Sequence, residues 1–145
     1  MAEKLRLSLC KTFEFSAAHR LFRPEWSEEQ NAKTFGMCAN PTGHGHNYRL
    51  EVFVSGEVDP VSGMVIDAST LQQLVDEVLL GELDHKNLDV DVHWLKGKIS
   101  SVENIIAAMW GRLGPAVRSV SKSGRLERLV LWETGRIFAT LEREG

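Results

Sequence analysis

The stretch from Cys38 to Val54 constrains the fold more than any other. It opens on Cys38-Ala39-Asn40-Pro41-Thr42-Gly43, a turn by composition. His44-Gly45-His46-Asn47 follows, then Tyr48-Arg49-Leu50-Glu51-Val52-Phe53-Val54, which alternates apolar and polar residues. Strict alternation is the mark of a half-buried strand. Residues i and i+2 of a strand share a face. His44 and His46 therefore project side by side, and Gly45 between them keeps the opposite face small. Two imidazoles at that spacing are good metal ligands.

The remaining segments supply the other elements. Leu5-Arg6-Leu7-Ser8-Leu9-Cys10 alternates as a strand, with Leu5, Leu7 and Leu9 on one face and Cys10 on the other. Lys11 to Phe15 continues the pattern, and Ser16-Ala17-Ala18-His19 places a histidine among small residues near the strand's end. Phe22 to Gly36 is polar and poorly periodic, a loop with room for one helical turn after Ser27. Loops this long in compact domains are usually functional or mobile. Asp59-Pro60-Val61-Ser62-Gly63 is a turn whose flanks form a hairpin-like pair.

Met64 to Asp67 reads as a short strand running into a cap, with Asp67 or Ser69 as N-cap of a helix over Thr70 to Leu80. Leu71, Leu74, Val75, Val78 and Leu79 recur at helical spacing, and Gly81 is placed to stop the helix. Leu83 to Asp89 is a dense polar loop pinned by Leu83 and Leu88. Ser100-Ser101-Val102-Glu103 matches a capping box with Glu103 at the third helical position. The helix that follows carries Ile105, Ile106, Met109 and Trp110, and Pro115 interrupts it or lies in a second short turn. Ser119 to Gly124 is a small-residue loop. Arg125 to Thr134 reads as a strand, and Arg136 to Glu142 as its hairpin partner around Gly135. The order strand, strand, helix, helix, strand, strand predicts an α+β fold, an antiparallel sheet with helices on one face.

Length and charge exclude several classes. A chain of 145 residues is one domain, residues 1–145, able to bury a core without staples. A net charge of -3 with no long basic run leaves no electrostatic footprint for nucleic acid. No apolar run approaches the roughly 20 residues of a membrane span. The amino terminus lacks the extended apolar region of a signal peptide. Two cysteines make no disulfide framework and fit a reducing compartment, so a cytoplasmic protein is expected.

The chemistry rests on few residues. A catalytic zinc uses three protein ligands and keeps a fourth position open. With five histidines in the chain, His19 and His85 are the candidates for a third ligand beside His44 and His46. His93, between Val92 and Trp94, reads as structural. Cys38, in a loop of Gly, Asn, Pro and Thr, reads as a reactive thiol near the metal, whereas Cys10 reads as a small buried hydrophobe. Asp84-His85 sets an acid beside an imidazole, either a proton relay or a polar tie. Glu133 either faces solvent or anchors a ring bearing adjacent N–H donors. Glu103 has its capping role as a sufficient explanation.

Several of these segments together resemble the 6-pyruvoyl-tetrahydropterin synthase family, which includes the bacterial 6-carboxytetrahydropterin synthases. They are Phe15-Ser16-Ala17-Ala18-His19-Arg20-Leu21, Cys38 with His44-Gly45-His46-Asn47-Tyr48, Gly63 to Asp67, Leu83 to Asp89, Glu103-Asn104 and Trp132-Glu133-Thr134. The resemblance implies the tunnelling fold, a four-stranded antiparallel sheet with two helices on one face. It implies trimeric barrels stacked as a homohexamer, a dimer of trimers, with active sites at subunit interfaces. It assigns zinc to His19, His44 and His46 and makes Cys38 the general base. Asp84 and His85 complete the relay, and Glu133 grips the pterin ring. Ser101 and Glu103 lie in the stretch lining the pterin pocket.

The implied reaction converts 7,8-dihydroneopterin triphosphate to 6-pyruvoyl-tetrahydropterin and triphosphate, toward tetrahydrobiopterin. The five residues between Cys38 and His44, with the long preceding loop, look like the pyruvoyl-forming type. The carboxy-forming type, which expels acetaldehyde in queuosine and deazapurine synthesis, usually has a shorter spacing. One departure is Val102, where the pyruvoyl type commonly carries threonine. Two further alternatives are a non-catalytic pterin-binding oligomer and metal-assisted hydrolysis as in cyclohydrolases.

Overall fold

The structure, a computed structural model, describes residues 2–145. In chain order the elements are β1 (Ser8–His19), α1 (Glu28–Phe35), a 3-10 turn (Gly36–Ala39), β2 (His44–Ser55), α2 (Ala68–Val75), a π turn (Asp76–Leu80) and α3 (Gly81–Leu83). Then come β3 (Lys86–Asn87), a 3-10 turn (His93–Leu95), α4 (Val102–Val120), β4 (Arg125–Trp132) and β5 (Phe138–Glu142).

The period-two patterns pair as expected. β1 and β2 run antiparallel in unbroken register from Ser8 opposite Ser55 to His19 opposite His44. β4 pairs antiparallel with β2 and with β5. The sheet is nevertheless five-stranded and mixed, in the order β3-β1-β2-β4-β5, and not four-stranded and antiparallel. The additional strand is β3, parallel to β1 at Ala17 and Ala18. Two residues are too few to display a period, so the sequence hides it.

One face of the sheet carries the core. Phe13, Phe15 and Ala17 of β1, Tyr48, Leu50, Val52 and Val54 of β2, and Leu129 and Leu131 of β4 are buried. Over them pack Leu71, Leu74 and Val75 of α2 and Ile105, Ile106, Met109, Leu113 and Val117 of α4. The even-numbered residues of β1 point the other way. Cys10 is among them and is exposed, not a buried hydrophobe. Leu5 and Leu7 are also exposed: β1 begins only at Ser8, opposite the last residue of β2, so residues 5–7 have no partner strand.

Other departures have local causes. α1 is a full eight-residue helix, longer than one turn. Ser27 caps it by accepting from the Gln30 amide. Buried Asn31 ties the preceding loop, accepting from the Arg23 amide and donating to the Arg23 carbonyl. Residues 64–67 form no strand. The Asp59 amide bonds the Met64 carbonyl and the Gly63 amide bonds the Asp59 carbonyl, which closes a turn without a ladder. Asp67 is the N-cap of α2. Pro115 lies within α4, which runs unbroken to Val120.

Gly81 does not end the helical segment. The chain continues through a π turn into α3, and the Gly81 amide reaches back to the Asp76 carbonyl. A Cβ at Gly81 would stand 2.9 Å from that carbonyl oxygen. Gly81→Ala is expected to lose about 1–3 kcal/mol through overpacking. The check is a lower urea midpoint at unchanged slope.

Candidate active site

The strand register assembles the site. His19 ends β1 and pairs with His44, which opens β2, and Ala17 pairs with His46. All three imidazoles fall on the core face, at the end of the sheet where the apolar layer stops. Leu129 and Leu131 of β4 are buried on that face, and the next residue of their parity is Glu133. One ligand atom from each of His19, His44, His46 and Glu133 lies within 4.8 Å of the others. The third imidazole beside the pair is thus His19. His85 is not in this group, and His93 is an exposed residue at the start of the 3-10 turn His93–Leu95, 3.9 Å from Glu82.

His19 is fully buried, and its Nδ1 lies 2.8 Å from the Ser100 carbonyl. A carbonyl only accepts, so Nδ1 carries the proton and Nε2 presents a lone pair. Nε2 of His19 and Nε2 of His46 are both buried without a hydrogen-bond partner. Glu133 Oε1 stands 3.0 Å from His46 Nε2 and 3.6 Å from His19 Nε2, without hydrogen-bond alignment. A carboxylate oxygen facing two imidazole nitrogens needs positive charge between them. A divalent cation meets that need, and the donor set of three imidazoles and one oxygen suits zinc or a similar first-row metal. Burial is the main force lowering the pKa of His44 and of His46, opposed in part by Glu133. Burial thereby favours the neutral form of both rings, the form that ligates metals.

Ser100 was not legible as a site residue. In a capping box it would be the N-cap, with Glu103 at the third position. Instead Ser101 caps α4, its Oγ accepting from the Asn104 amide. Ser100 is withdrawn into the interior, where its carbonyl holds His19 and its Oγ lies 3.4 Å from the same nitrogen. Glu103 is displaced to the second helical position. It is exposed and makes no side-chain hydrogen bond or ion pair among the described residues. Val102, the departure from threonine, is buried in the core. Tyr48 is also buried beside the histidines, 5.5 Å from the His46 ring, with an unpartnered hydroxyl. Burial, and then the charges of Glu133 and Asp89, push its pKa up.

Cys38 lies in the 3-10 turn Gly36–Ala39 and is half-buried. Its carbonyl accepts from the Leu21 amide at 2.9 Å, tying this turn to the chain just past His19. The thiol is not among the clustered ligand atoms.

Asp84 and His85 form a separate pair. Asp84 Oδ1 accepts from the Ser16 amide at 2.9 Å and lies 3.0 Å from His85 Nδ1. The His85 amide donates to the Ser16 carbonyl at 2.6 Å. His85 has φ +63°, the only positive φ outside glycine among the described residues. Its side chain is 82% exposed. It borders a depression of about 460 Å³ with Ser16, Ala17 and Ala18 of β1, Gly45, His46 and Asn47 of β2, and Lys86 and Asn87 of β3.

The Ser16 amide, and secondarily His85, hold the Asp84 carboxyl below its usual pKa. A depressed carboxylate stabilises the fold above its unfolded pKa, about 3.9, and that contribution is lost as pH falls through the folded value. The stability difference between wild type and Asp84→Asn is expected above about pH 4 and should close at lower pH. Urea midpoints measured across that range check it.

Three converging imidazoles with a carboxylate, at the end of a mixed sheet roofed by two helical segments, define an α+β protein with a candidate metal centre. A family profile described as 6-pyruvoyl tetrahydropterin synthase matches residues 8–144, and the chain belongs to that family. It is 39% identical over 131 residues to the human 6-pyruvoyl tetrahydrobiopterin synthase, covering 90% of this chain and 88% of that one. A solved structure of the Caenorhabditis elegans 6-pyruvoyl tetrahydropterin synthase superposes with a TM-score of 0.85 at 37% identity, covering 99% of this chain and 100% of that one. A more distant relative, the dihydroneopterin monophosphate aldolase of Pyrococcus furiosus, is 34% identical over 132 residues, covering 88% of this chain and 90% of that one.

Proposed function

We propose that the protein is a zinc-dependent lyase that converts 7,8-dihydroneopterin triphosphate to 6-pyruvoyl-tetrahydropterin and triphosphate. The observation that carries this reading is the pair of orphaned Nε2 atoms of His19 and His46, one of them fixed as a lone-pair donor by the Ser100 carbonyl. His19, His44 and His46 hold the metal. Bound zinc supplies Lewis acidity toward the substrate's side-chain hydroxyls. Cys38 takes a proton as general base, and His85, oriented by Asp84, returns one. Glu133 accepts from the amino and N–H groups of the pterin ring, and Ser101 and Glu103 line the same pocket at the start of α4. No external reductant is required, because the redox level moves from side chain to ring.

The His85 side chain is exposed, and neither Asp84 nor His85 belongs to the ligand atoms clustered at His19, His44, His46 and Glu133 of their own chain. That placement supports a homohexamer, a dimer of trimers, in which the pair serves a site completed by another subunit. No helix among the described residues is long and apolar enough to cross a membrane. The reading places one catalytic domain, residues 1–145, in the cytoplasm.

The test is product analysis of the zinc-loaded protein with 7,8-dihydroneopterin triphosphate. Triphosphate and 6-pyruvoyl-tetrahydropterin without acetaldehyde are expected. Acetaldehyde with 6-carboxytetrahydropterin would move the protein to the deazapurine branch. Retained zinc and pterin without turnover would make it a binding protein.

A further inference from the structure

At the far end of β4 from Glu133, α4 and β4 enclose a depression of about 350 Å³. It is lined by Trp110, Gly114 and Arg118 of α4, Arg125 and Leu126 at the start of β4, and Arg143 just past β5. Eight strand residues at about 3.3 Å each separate it from the histidine cluster by roughly 25 Å. Three arginines line it and no acidic residue does. This is unusual in a chain of net charge -3. Arg6, Arg20, Arg23 and Arg112 are matched to Glu127, Glu28, Glu25 and Glu82, whereas Arg49 and Arg136, like the arginines of the depression, have no ion-pair partner among the described residues. Arg118 and Arg143 make no side-chain hydrogen bond or ion pair among the described residues. Arg125 donates only to the backbone carbonyls of Lys122 and Gly124, which fixes its position without neutralising it. Glu127, on the same strand, is already engaged by Arg6 and by the Ser55 hydroxyl.

The remaining polar group of the depression is also a free donor. The indole N–H groups of Trp94 and Trp132 each bond a glutamate, to Glu82 and Glu51. Those of Trp26 and Trp110 have no partner among the described residues. Gly114 leaves that of Trp110 open: a Cβ there would stand 3.7 Å from Trp110 Nε1. Three arginines and a tryptophan thus border one depression that no acidic residue lines. Planar guanidinium forks match tetrahedral oxyanions, and charge-assisted bonds are the strong ones.

We propose that this depression is a binding site for a phosphoryl oxyanion, separate from the histidine cluster. The ligand is either a free phosphate or polyphosphate, or the phosphate group of a nucleotide whose base rests against Trp110.

The test is calorimetric titration of the intact protein with inorganic pyrophosphate and, in a second arm, adenosine triphosphate. Binding that weakens about tenfold in Arg118→Ala and in Arg143→Ala is expected, since each removes a charged hydrogen-bond donor. Both side chains are on the surface, so turnover and melting temperature should stay unchanged. Trp110→Phe, which keeps the ring and deletes the N–H, should weaken binding less. Equal affinity for the two probes identifies the free anion, and tighter nucleotide binding identifies the ester. Absence of binding at millimolar probe overturns the proposal. So does binding that ignores both arginine variants and disappears in His46→Ala, which would place the anion at the histidine cluster.

Discussion

His46→Ala is expected to leave a folded protein that neither retains zinc nor turns over pterin. His46 is the better choice than His19 for this experiment. His19 is wholly enclosed and bonded to Ser100, so its removal would open a cavity and free a buried carbonyl. His46 sits at the rim, partly accessible, and its backbone pairing with Ala17 survives the substitution. Losing a group that merely orients a metal ligand costs about 10–100-fold in affinity or activity. Losing one of three ligands should cost more than that range. The variant also leaves Glu133 facing one imidazole fewer, so added zinc should not restore the site. Metal content by elemental analysis, with circular dichroism as a folding control, checks it. Zinc retained at full stoichiometry with normal turnover would remove the histidine cluster from the chemistry.

Much of this site was legible because strands obey parity. His44 and His46 share a face by spacing alone, and the alternation from Tyr48 to Val54 says that face is the buried one. The sequence left the third ligand open between His19 and His85. The register decides the geometry, by pairing His19 with His44 at the very end of β1. Register depends on contacts between distant segments, and no single segment displays it. The strand before Glu133 left it open between a solvent-facing carboxylate and a ring anchor, and its approach to His46 depends on how β4 pairs with β2.

Ser100 was misread for a different reason. Two adjacent serines offer two registers for one cap, and local propensity does not choose between them. Burial of His19 chooses, because its Nδ1 requires an acceptor inside the core. β3 was invisible because a tertiary clamp creates it. The Asp84 carboxylate and the His85 amide grip both backbone groups of Ser16, and the Leu88 amide bonds the Ala18 carbonyl. The same clamp fixes His85 in its left-handed conformation, a cost that the surrounding bonds impose. The π turn before Gly81 belongs with these cases, since a glycine at a helix end ordinarily signals a stop.

Cys38→Ala is expected to lower kcat by about 10²–10⁴-fold, the usual worth of a positioned general base, while zinc content and pterin affinity stay near wild type. The split follows from where the residue sits. Cys38 is outside the group of ligand atoms, so its removal takes nothing from the metal. Its turn is held by a main-chain bond between Leu21 and the Cys38 carbonyl, and that bond does not depend on the side chain. A fall in kcat with unchanged KM and full metal would therefore mark a group acting in the transition state. Cys38→Ser adds an independent readout: it nearly keeps the side chain's size but removes the thiol, so it should lose kcat as the alanine variant does. A Cys38→Ala protein with wild-type kcat would end the assignment of Cys38 as base. Proton abstraction would then pass to the Asp84–His85 pair, whose exposed imidazole already stands in a conformation that only surrounding structure maintains.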